Sequence, residues 1–373
     1  MQISDLTQRM EAIAPLQLAE AWDKVGLQVG DAAAAVRRGL VCIDLTEAVV
    51  AEAVRERCGL IVAYHPPLFE PVQTLTEATW KERALRELVR RNIGVYSPHT
   101  ALDAARGGVN DWLCDGLGEG DRRPIKPGSP TAPPKLKIVT FVPASHVNAV
   151  RVALSDAGAG VIGDYTQCSF NVAGEGTFVG GASTNPVVGR RGQLERAPEI
   201  RVEMVCPQSA VAAVVAALRA AHPYEEPAFD LVPLAAEPVT GDQLVGAGRV
   251  LTLRKPVPLA TLVARVKRRL GLRRVEVATP VGRARAVRSV GLCVGAGGSL
   301  LDAAGAVDVF ITGEMRHHDV LAAAQRGVAV VLCGHTQTER PYLPEYRRRL
   351  AAATGKAVTW RVSRADRVPG AWR

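Results

Sequence analysis

The chain has 373 residues, of which 47% are hydrophobic, and its formal net charge is +9. This length and composition are typical of a globular protein with two or three domains. No apolar run reaches the roughly 18–20 residues that cross a bilayer, and residues 1–15 lack the basic-then-apolar layout of a signal peptide. We therefore expect a cytoplasmic protein that is not embedded in a membrane. The basic residues are dispersed rather than interleaved with aromatic ones, so nucleic-acid binding is not expected.

Seven cysteines are scattered along the chain, and none forms a CxxC pair. Zinc ribbons need paired cysteines at short spacing, and disulfide frameworks use an even set. The pattern supports neither, and buried cysteines of this kind usually act as small hydrophobic residues.

Residues 1–118 alternate helical and strand-like periodicity. Short apolar runs that alternate with amphipathic segments of 10–15 residues predict an α/β lobe with a sheet covered by helices. The predicted helices are DLTQRMEAIAPLQLAE, EAVVAEAVRERC and KERALRELVRRN, and the predicted strands are GLVCIDLT, GLIVAYHP and IGVYSPHT.

The middle of the chain has a different character. Residues 119–134 are dense in proline, glycine and charge, which is typical of a linker. Residues 135–234 then give the order β-α-β-β-α-β, the signature of a ferredoxin-like α+β domain. We expect this domain to be inserted into the first pattern.

The first pattern resumes in residues 235–373, which predict a second α/β lobe. VDVFITGE and VAVVLCGHT are its strongest strand signals, and VPLATLVARVKRRLG and PEYRRRLAAATG its strongest helices. Strand–helix–strand order in this lobe matches that of the first, so we expect two related lobes that together form one core.

Each lobe carries the pattern His-Thr-x-x-acid just after a predicted strand. His99 and Asp103 lie in YSPHTALD, and His335 and Glu339 lie in CGHTQTER. Positions i and i+4 share one face of an α-helix, and ligands in α/β sheets bind outside the carboxyl ends of strands. His65, at the end of GLIVAYHP, adds a third imidazole. The pattern predicts one site assembled from both lobes.

Imidazoles mixed with carboxylates suit Zn, Fe, Mn, Co or Ni better than Ca or Mg. The set is too large for one tetrahedral ion, and two ions sharing bridging carboxylates would use it fully. Plainer readings stay open, because single His-x-x-x-acid pairs often serve as surface hydrogen bonds and a lone His65 could bond to backbone.

Glu314, His317 and His318 follow another strand end and are candidate pocket groups, although Glu314 could simply begin a helix. GAGGS at 295–299 favours a plain strand-to-helix turn over a nucleotide site.

Several segments together resemble the Nif-three-like proteins, also called dinuclear metal centre hexameric proteins or GTP cyclohydrolase type 2 homologues. The resemblance runs nearly end to end and rests on EAWDKVGLQVG, AYHPPLFEP, VYSPHTALDAARGGVNDWL, FITGEMRHHDV, LCGHTQTERP and, in the insert, HPYEEPAFDL. It implies a hexamer with two divalent ions per subunit. It also implies that the metal ligands are His65, His99, Asp103, His335 and Glu339, with Asp103 and Glu339 as bridges.

One departure concerns Tyr64, because many bacterial members have two adjacent histidines where this chain has Tyr64-His65. The resemblance implies metal-dependent hydrolysis of a small or nucleotide-like substrate, with metal-activated water opening a guanine ring. Glu314 and His318 are the candidate catalytic residues for proton transfer. The alternative is a non-enzymatic metal-binding scaffold or regulator, since the insert resembles the CutA and PII-like ligand-sensing group. A third reading, a partner in nucleic-acid handling, rests only on the basic charge.

Overall fold

A computed structural model describes residues 1–128, 135–235, 244–280, 286–368 and 370. Two compact units make up the chain. The larger one combines Met1–Pro130 with Thr240–Arg373, and the smaller one is Thr131–Val239. In the described part of the chain, no helix is both long and apolar enough to cross a bilayer.

The N-terminal part of the larger unit alternates strands and helices as the sequence predicted, with additional short strands. Its helices are α1 (Ile3–Ile13), α2 (Glu47–Arg55), α3 (Trp80–Arg90), α4 (His99–Ala104) and α5 (Val109–Asp115). Its strands are β1 (Gly26–Val29), β2 (Arg38–Cys42), β3 (Leu60–Ala63), β4 (Gly94–Ser97), β5 (Gly120–Arg123) and β6 (Lys126–Pro127).

The smaller unit has the β-α-β-β-α-β order expected from the sequence. Its elements are β7 (Lys135–Val142), α6 (Val147–Asp156), β8 (Phe170–Val179), β9 (Leu194–Pro207), α7 (Val211–Ala221) and β10 (Phe229–Pro233). The four strands form one antiparallel sheet in the order β10-β7-β9-β8. Alternate residues of β7 and β9 pack against apolar residues of α6 and α7, so one face of the sheet carries the helices.

The C-terminal part completes the larger unit. Its strands are β11 (Gly246–Ala247), β12 (Arg249–Val257), β13 (Glu276–Ala278), β14 (Val287–Cys293), β15 (Val309–Thr312), β16 (Ala329–Leu332) and β17 (Thr359–Val362). Its helices are α8 (Leu259–Leu270), α9 (His317–Gln325), α10 (His335–Glu339) and α11 (Leu343–Thr354).

Two sheets dominate the larger unit, with four adjacent parallel strands in the first and three in the second. The first has the order β1-β4-β3-β2-β17, and the second has the order β13-β16-β15-β14-β12-β5. β4, β3, β2 and β17 are parallel in the first, and β14, β15 and β16 are parallel in the second. Each sheet also takes an edge strand from the other half of the chain, β17 in one case and β5 in the other.

This exchange changes the boundaries expected from the sequence. The segment predicted to be a linker from residue 119 begins with β5, which pairs antiparallel with β12. The strand was not predicted from the sequence, because the segment is charged and alternate side chains of Gly120–Arg123 face solvent. Residues 129–134 of that segment lie outside the described residues. After β14 the chain forms a short 3₁₀ turn, Gly298–Leu300.

A single apolar core joins the two sheets of the larger unit. It contains residues of the first half, such as Leu60 and Leu102, together with Leu292 and Ile311 of the second. At about 25 cal/mol per Å² of apolar surface removed from water, such continuous burial is the main stabilising term. The two sheets are therefore held at a fixed relative position, which is what a site shared between them requires.

A buried ion pair also ties the halves together. Arg249 is completely buried, and its Nε lies 2.6 Å from Oδ1 of Asp111 on α5. The guanidinium also donates to the backbone carbonyls of Gly246, Gly248, Ala104 and Ala105. A buried charge is tolerated only when it is paired and hydrogen-bonded in this way. The bonds fix the carboxyl end of α4 against β12.

Candidate metal centre

The candidate site residues follow the carboxyl ends of parallel strands in both sheets. Asp44, His65 and His99 come after β2, β3 and β4, and Glu314 and His335 come after β15 and β16. Parallel strands place these ends at one edge of each sheet, where α/β proteins bind ligands. The repeated strand–helix–strand pattern therefore delivers polar side chains from both halves of the chain to one place.

Two short helices carry the repeated histidine–acid pairs. α4 begins at His99 and includes Asp103, and α10 begins at His335 and ends at Glu339. The spacing of four residues places each pair on one helical face, as predicted. His99 has φ of 28°, in the left-handed region that a non-glycine residue rarely occupies. Such strain persists only where surrounding contacts impose it, and it is frequent at functional sites.

The structure brings the three predicted imidazoles together. The ring centroid of His65 lies 5.4 Å from that of His99 and 5.4 Å from that of His335. One ligand atom each of His65, His335 and Glu339 falls within 4.8 Å of the other two. Residues 274 positions apart in the chain, His65 and Glu339, are thus neighbours, with Nε2 to Oε2 at 3.3 Å.

Each of the three imidazoles has a carboxylate on its Nδ1. The distances are 2.8 Å from His65 to Asp44, 2.8 Å from His99 to Asp23 and 3.0 Å from His335 to Glu314. Metal-binding histidines use such outer carboxylates to fix the ring and its tautomer, which leaves Nε2 free for the ion. All three histidines of the site have a carboxylate on Nδ1. Histidines with no ligand to bind would not require this.

Further hydrogen bonds hold the α4 side of the site. Thr100, the threonine of the first repeat, donates from both its backbone N–H and its hydroxyl to Asp23. Asn110 donates to the carbonyl of Asp103 and accepts from the N–H of Val294 at the end of β14. Asn110 therefore connects α4 to the second sheet.

Glu339 is a deeply buried acid of the cluster, with only 3% of its surface exposed. Its Oε2 makes no hydrogen bond, although it lies 3.3 Å from His65 Nε2. Burying an unsatisfied carboxylate is costly unless a cation neutralises it. Burial opposes protonation of His65, yet the neighbouring carboxylates of Asp44 and Glu339 raise the pKa of His65 to about 10. Burial also raises the pKa of Asp103 to about 7. The site has excess negative charge, and its donor set fits divalent metal ions.

Tyr64 occupies the position next to His65 and is almost fully buried. Its hydroxyl donates a hydrogen bond to Oδ1 of Asp103, and its ring lies 5.8 Å from that of His99. The phenol thus faces the site rather than only packing in the core. Burial and the Asp103 charge raise the pKa of Tyr64 well above its usual value, so it stays a neutral donor.

Gly295, in the GAGGS segment, lies directly against the site. A Cβ placed there would lie 2.7 Å from Glu339 Oε1 and 3.3 Å from His335 Nε2. Its φ of +64° is also in the left-handed region. The segment forms a strand-to-turn connection, as predicted, but its first glycine also leaves room for two ligand candidates.

The two predicted catalytic residues are placed differently. Glu314 contacts His335 through the hydrogen bond described above, and 61% of its side chain is exposed. His318 is exposed on α9, and its ring contacts His317 at 5.5 Å. Asp23 and Asp44 were not among the predicted site residues. A carboxylate just beyond a strand end was the available signal for Asp44, since it ends the run GLVCID.

A cavity of about 480 Å³ opens beside His65 and Asp44. Pro66, Pro67 and Trp80 give it a mainly apolar wall, and its other lining residues include Lys81, Thr336 and Arg367. Of the described residues, no carboxylate pairs with Lys81 or Arg367. The cavity therefore offers a ring-sized apolar surface with two unpaired positive charges close to the imidazole cluster.

Comparison with known proteins places this architecture in a family. The model of Duf34/NIF3 (NGG1p interacting factor 3) matches residues 1–369. The chain is 37% identical to the GTP cyclohydrolase 1 type 2 homolog of Mycobacterium tuberculosis, over 97% of this chain and 94% of that one. It is 36% identical to human NIF3-like protein 1, over 99% and 92% of the respective chains.

A solved structure shows the same relationship. A Bacillus cereus protein related to NIF3 superimposes with a TM-score of 0.63 at 32% identity, covering 100% of this chain and 99% of that one. The resemblance inferred from the sequence motifs is therefore confirmed, and this chain belongs to the Duf34/NIF3 family.

Proposed function

We propose that this protein binds two divalent metal ions and hydrolyses a small or nucleotide-like substrate. One observation carries the proposal: three neighbouring imidazoles each have Nδ1 held by a carboxylate, and two of them, His65 and His335, lie against the buried Glu339. Oε2 of Glu339 has no hydrogen-bond partner, and a cation would offset the cost of burying it.

The ligands divide into two groups. His65, His335 and Glu339 would hold one ion, because their ligand atoms already lie within 4.8 Å of one another. His99 and Asp103 would hold the second, on the side where the Tyr64 hydroxyl contacts Asp103. Glu339 and Asp103 would bridge the two positions. Imidazole with carboxylate suits Zn, Fe, Mn, Co or Ni.

Divalent ions in such a site supply Lewis acidity and lower the pKa of water, which makes a nucleophile available near neutral pH. The chain's own residues would orient and move protons. Glu314 bonds to His335 and is mostly exposed, so it can reach both the site and solvent. His318, exposed on the nearby helix α9, is the second candidate for proton transfer. Proton transfer needs a group within hydrogen-bond reach of the substrate.

The cavity beside His65 supports an anionic, ring-bearing substrate. Lys81 and Arg367 would contact negatively charged groups, and Trp80 with Pro66 and Pro67 would contact a planar ring. Relatives named GTP cyclohydrolase 1 type 2 homologs agree with a nucleotide-like substrate. The opening of a guanine ring is the specific reaction proposed from that name.

Metal content per chain tests the site. Wild type, His335→Ala and Asp103→Ala would be dialysed against metal-free buffer and analysed by plasma mass spectrometry, with His146→Ala, an exposed histidine of the smaller unit, as the control. We expect loss of metal in both site variants but not in the control. Unchanged metal in both would refute the ligand assignment.

Fully metal-loaded protein that turns over no nucleotide, phosphoester or amide would refute the hydrolase assignment.

A second candidate function is a metal-binding scaffold or regulator in which the inserted domain senses a ligand. Its support is the smaller unit, which forms a separate compact body with its own apolar core. We keep as proposals a CutA or PII-like character of this domain, residues 135–234 as its extent, and a hexameric assembly. Deleting the domain would abolish regulation without changing metal content if this candidate is right.

A further inference from the structure

The smaller unit contains a cavity of its own. It measures about 430 Å³ and lies where β7, β8 and β9 meet the loops of residues 180–188 and 224–228. Val142, Val202 and Met204 pack against the helices. Phe141 and Glu199 have the opposite parity on the same strands, so they lie on the face of the sheet without helices. The cavity is therefore separate from the helical core of the unit.

Glu199 is the central polar group of this cavity. Only 9% of its surface is exposed. Within the described ranges, no basic side chain forms an ion pair with its carboxylate, and its polar neighbour is the hydroxyl of Tyr224. A Cβ on Gly176 would collide with Glu199 Oε2, so the glycine on β8 leaves the space that this side chain fills.

A buried phenol lies beside it. The hydroxyl of Tyr224 neighbours the Glu199 carboxylate and has no other hydrogen-bond partner among the described residues. Burial, followed by the neighbouring Glu199 carboxylate, raises the pKa of Tyr224 to about 12, so the phenol remains neutral. A ligand that donates to both groups would offset the cost of burying them, which is about 1–3 kcal/mol for a polar group left unsatisfied.

The other acids of the cavity are already compensated. Glu175 forms an ion pair with Arg196 at 2.8 Å, and Glu226 lies 3.5 Å from Arg219. Glu225 accepts a hydrogen bond from the backbone N–H of Asn185 at 2.9 Å. The uncompensated charge is thus confined to Glu199, at the inner part of the cavity.

The walls around Glu199 are aromatic and apolar. The rings of Phe178 and Tyr224 lie 6.3 Å apart, and Phe141, Pro186 and Val187 complete the lining. Aromatic faces attract cations, and a carboxylate in an apolar surround attracts them more strongly still. A ligand that satisfies this cavity combines one positive charge with an apolar body.

We propose that this cavity of the smaller unit binds a small organic cation, an ammonium group on an apolar or aromatic body, with Glu199 as its counter-ion. The ammonium would donate to Glu199 and to the Tyr224 oxygen, and the apolar body would contact Phe141 and Phe178. Anionic ligands, including nucleotides, are disfavoured here because they would meet the Glu199 carboxylate in a desolvated space.

The test compares 2-phenylethylammonium with its neutral isostere 2-phenylethanol by isothermal titration calorimetry on the full-length, metal-loaded protein. We expect the cation to bind at least about tenfold more tightly than the alcohol, and Glu199→Gln to remove that difference. The control is Glu203→Gln, the same charge change on the same strand. Glu203 pairs with Lys137 and Arg201 outside the cavity, so this variant should bind within about twofold of wild type.

Circular dichroism would show whether Glu199→Gln misfolds. A further variant keeps the proposal testable in that case. Phe178→Leu keeps an apolar wall but removes a ring, and should weaken the cation about fivefold, with less effect on the alcohol. Equal binding of cation and alcohol would overturn the proposal, as would wild-type affinity in Glu199→Gln. Absence of cation binding up to about 10 mM would overturn it as well.

Discussion

The phenol of Tyr64 donates a hydrogen bond to Oδ1 of Asp103. A neutral donor therefore occupies one oxygen of a carboxylate that is proposed to hold a metal ion. A phenol that satisfies Asp103 competes with a cation for the same carboxylate oxygen. The two proposed ion positions should consequently differ in affinity, with the His65–His335–Glu339 position the tighter one.

The first prediction is that Tyr64→His increases the number of metal ions retained per chain. A new imidazole next to His99 and Asp103 adds a ligand at the weaker position. Divalent first-row transition metals bind imidazole nitrogen well, so the affinity of that position should rise. Metal titration followed by dialysis and elemental analysis measures the change. Tyr64→Phe is the control, because it frees Asp103 without adding a ligand. Equal metal content in wild type and Tyr64→His would contradict the prediction.

The second prediction concerns the carboxylates behind the histidines. Asp44→Asn removes the charge that holds His65 Nδ1 at 2.8 Å, so metal affinity should fall about 10–100-fold while the fold is kept. Competition with a chelator of known affinity measures the loss. Asp31→Asn, an exposed acid in the same unit, serves as the control. An affinity unchanged in Asp44→Asn would show that the ring needs no such partner.

The third prediction separates crowding from backbone strain at Gly295. Both Gly295 and Gly305 have positive φ, +64° and +74°. A Cβ on Gly295 meets Glu339 and His335, but one on Gly305 meets nothing within 4 Å. Alanine at either position should cost about 1 kcal/mol of stability through strain, but only Gly295→Ala should also lose metal affinity. Matching losses of metal in the two variants would refute a steric role for Gly295.

The candidate ligands could be predicted from the sequence because each pair lies within one short helix, His99 with Asp103 and His335 with Glu339. Local spacing carries that information. The carboxylate behind His99 could not, since Asp23 contacts a histidine 76 positions later. The exchange of β5 and β17 between the sheets could not be predicted either, because each pairs with a strand far away in the sequence. β5 and β17 lack the apolar runs that identify other four-residue strands such as β3, so only their pairing with partner strands reveals them.

The fourth prediction is that the buried pair of Arg249 and Asp111 is essential for stability. Arg249→Lys keeps the charge but cannot reproduce the fork that reaches Asp111 and four carbonyls. We expect the free energy of unfolding to fall by about 3 kcal/mol. Arg254→Lys, in an exposed pair with Glu119, should change it by less than about 0.5 kcal/mol. Urea unfolding measures the free energy of unfolding of both variants. Equal losses in Arg249→Lys and Arg254→Lys would show that the buried pair is not essential for stability.

The fifth prediction is a pH-dependent contribution from Glu52, a buried acid on α2. Burial raises its pKa, but hydrogen bonds from Ser363 and from the backbone of Ala365 and Arg364 outweigh this, so the pKa lies below the usual 4.5. The folded state therefore resists protonation more than the unfolded state does. The stabilisation is complete above pH 4.5 and is lost as the pH falls through the folded pKa.

Glu52→Gln should accordingly lower the free energy of unfolding by about 1–2 kcal/mol at neutral pH. The difference from wild type should shrink towards zero as the pH falls below the folded pKa, where the wild-type carboxyl is itself protonated. Denaturant unfolding at a series of pH values measures this convergence. Glu56→Gln, which removes an exposed partner of Arg361, should show a small effect. A Glu52→Gln deficit that persists unchanged at low pH would mean that packing, rather than the charge of Glu52, holds residues 363–365 against α2.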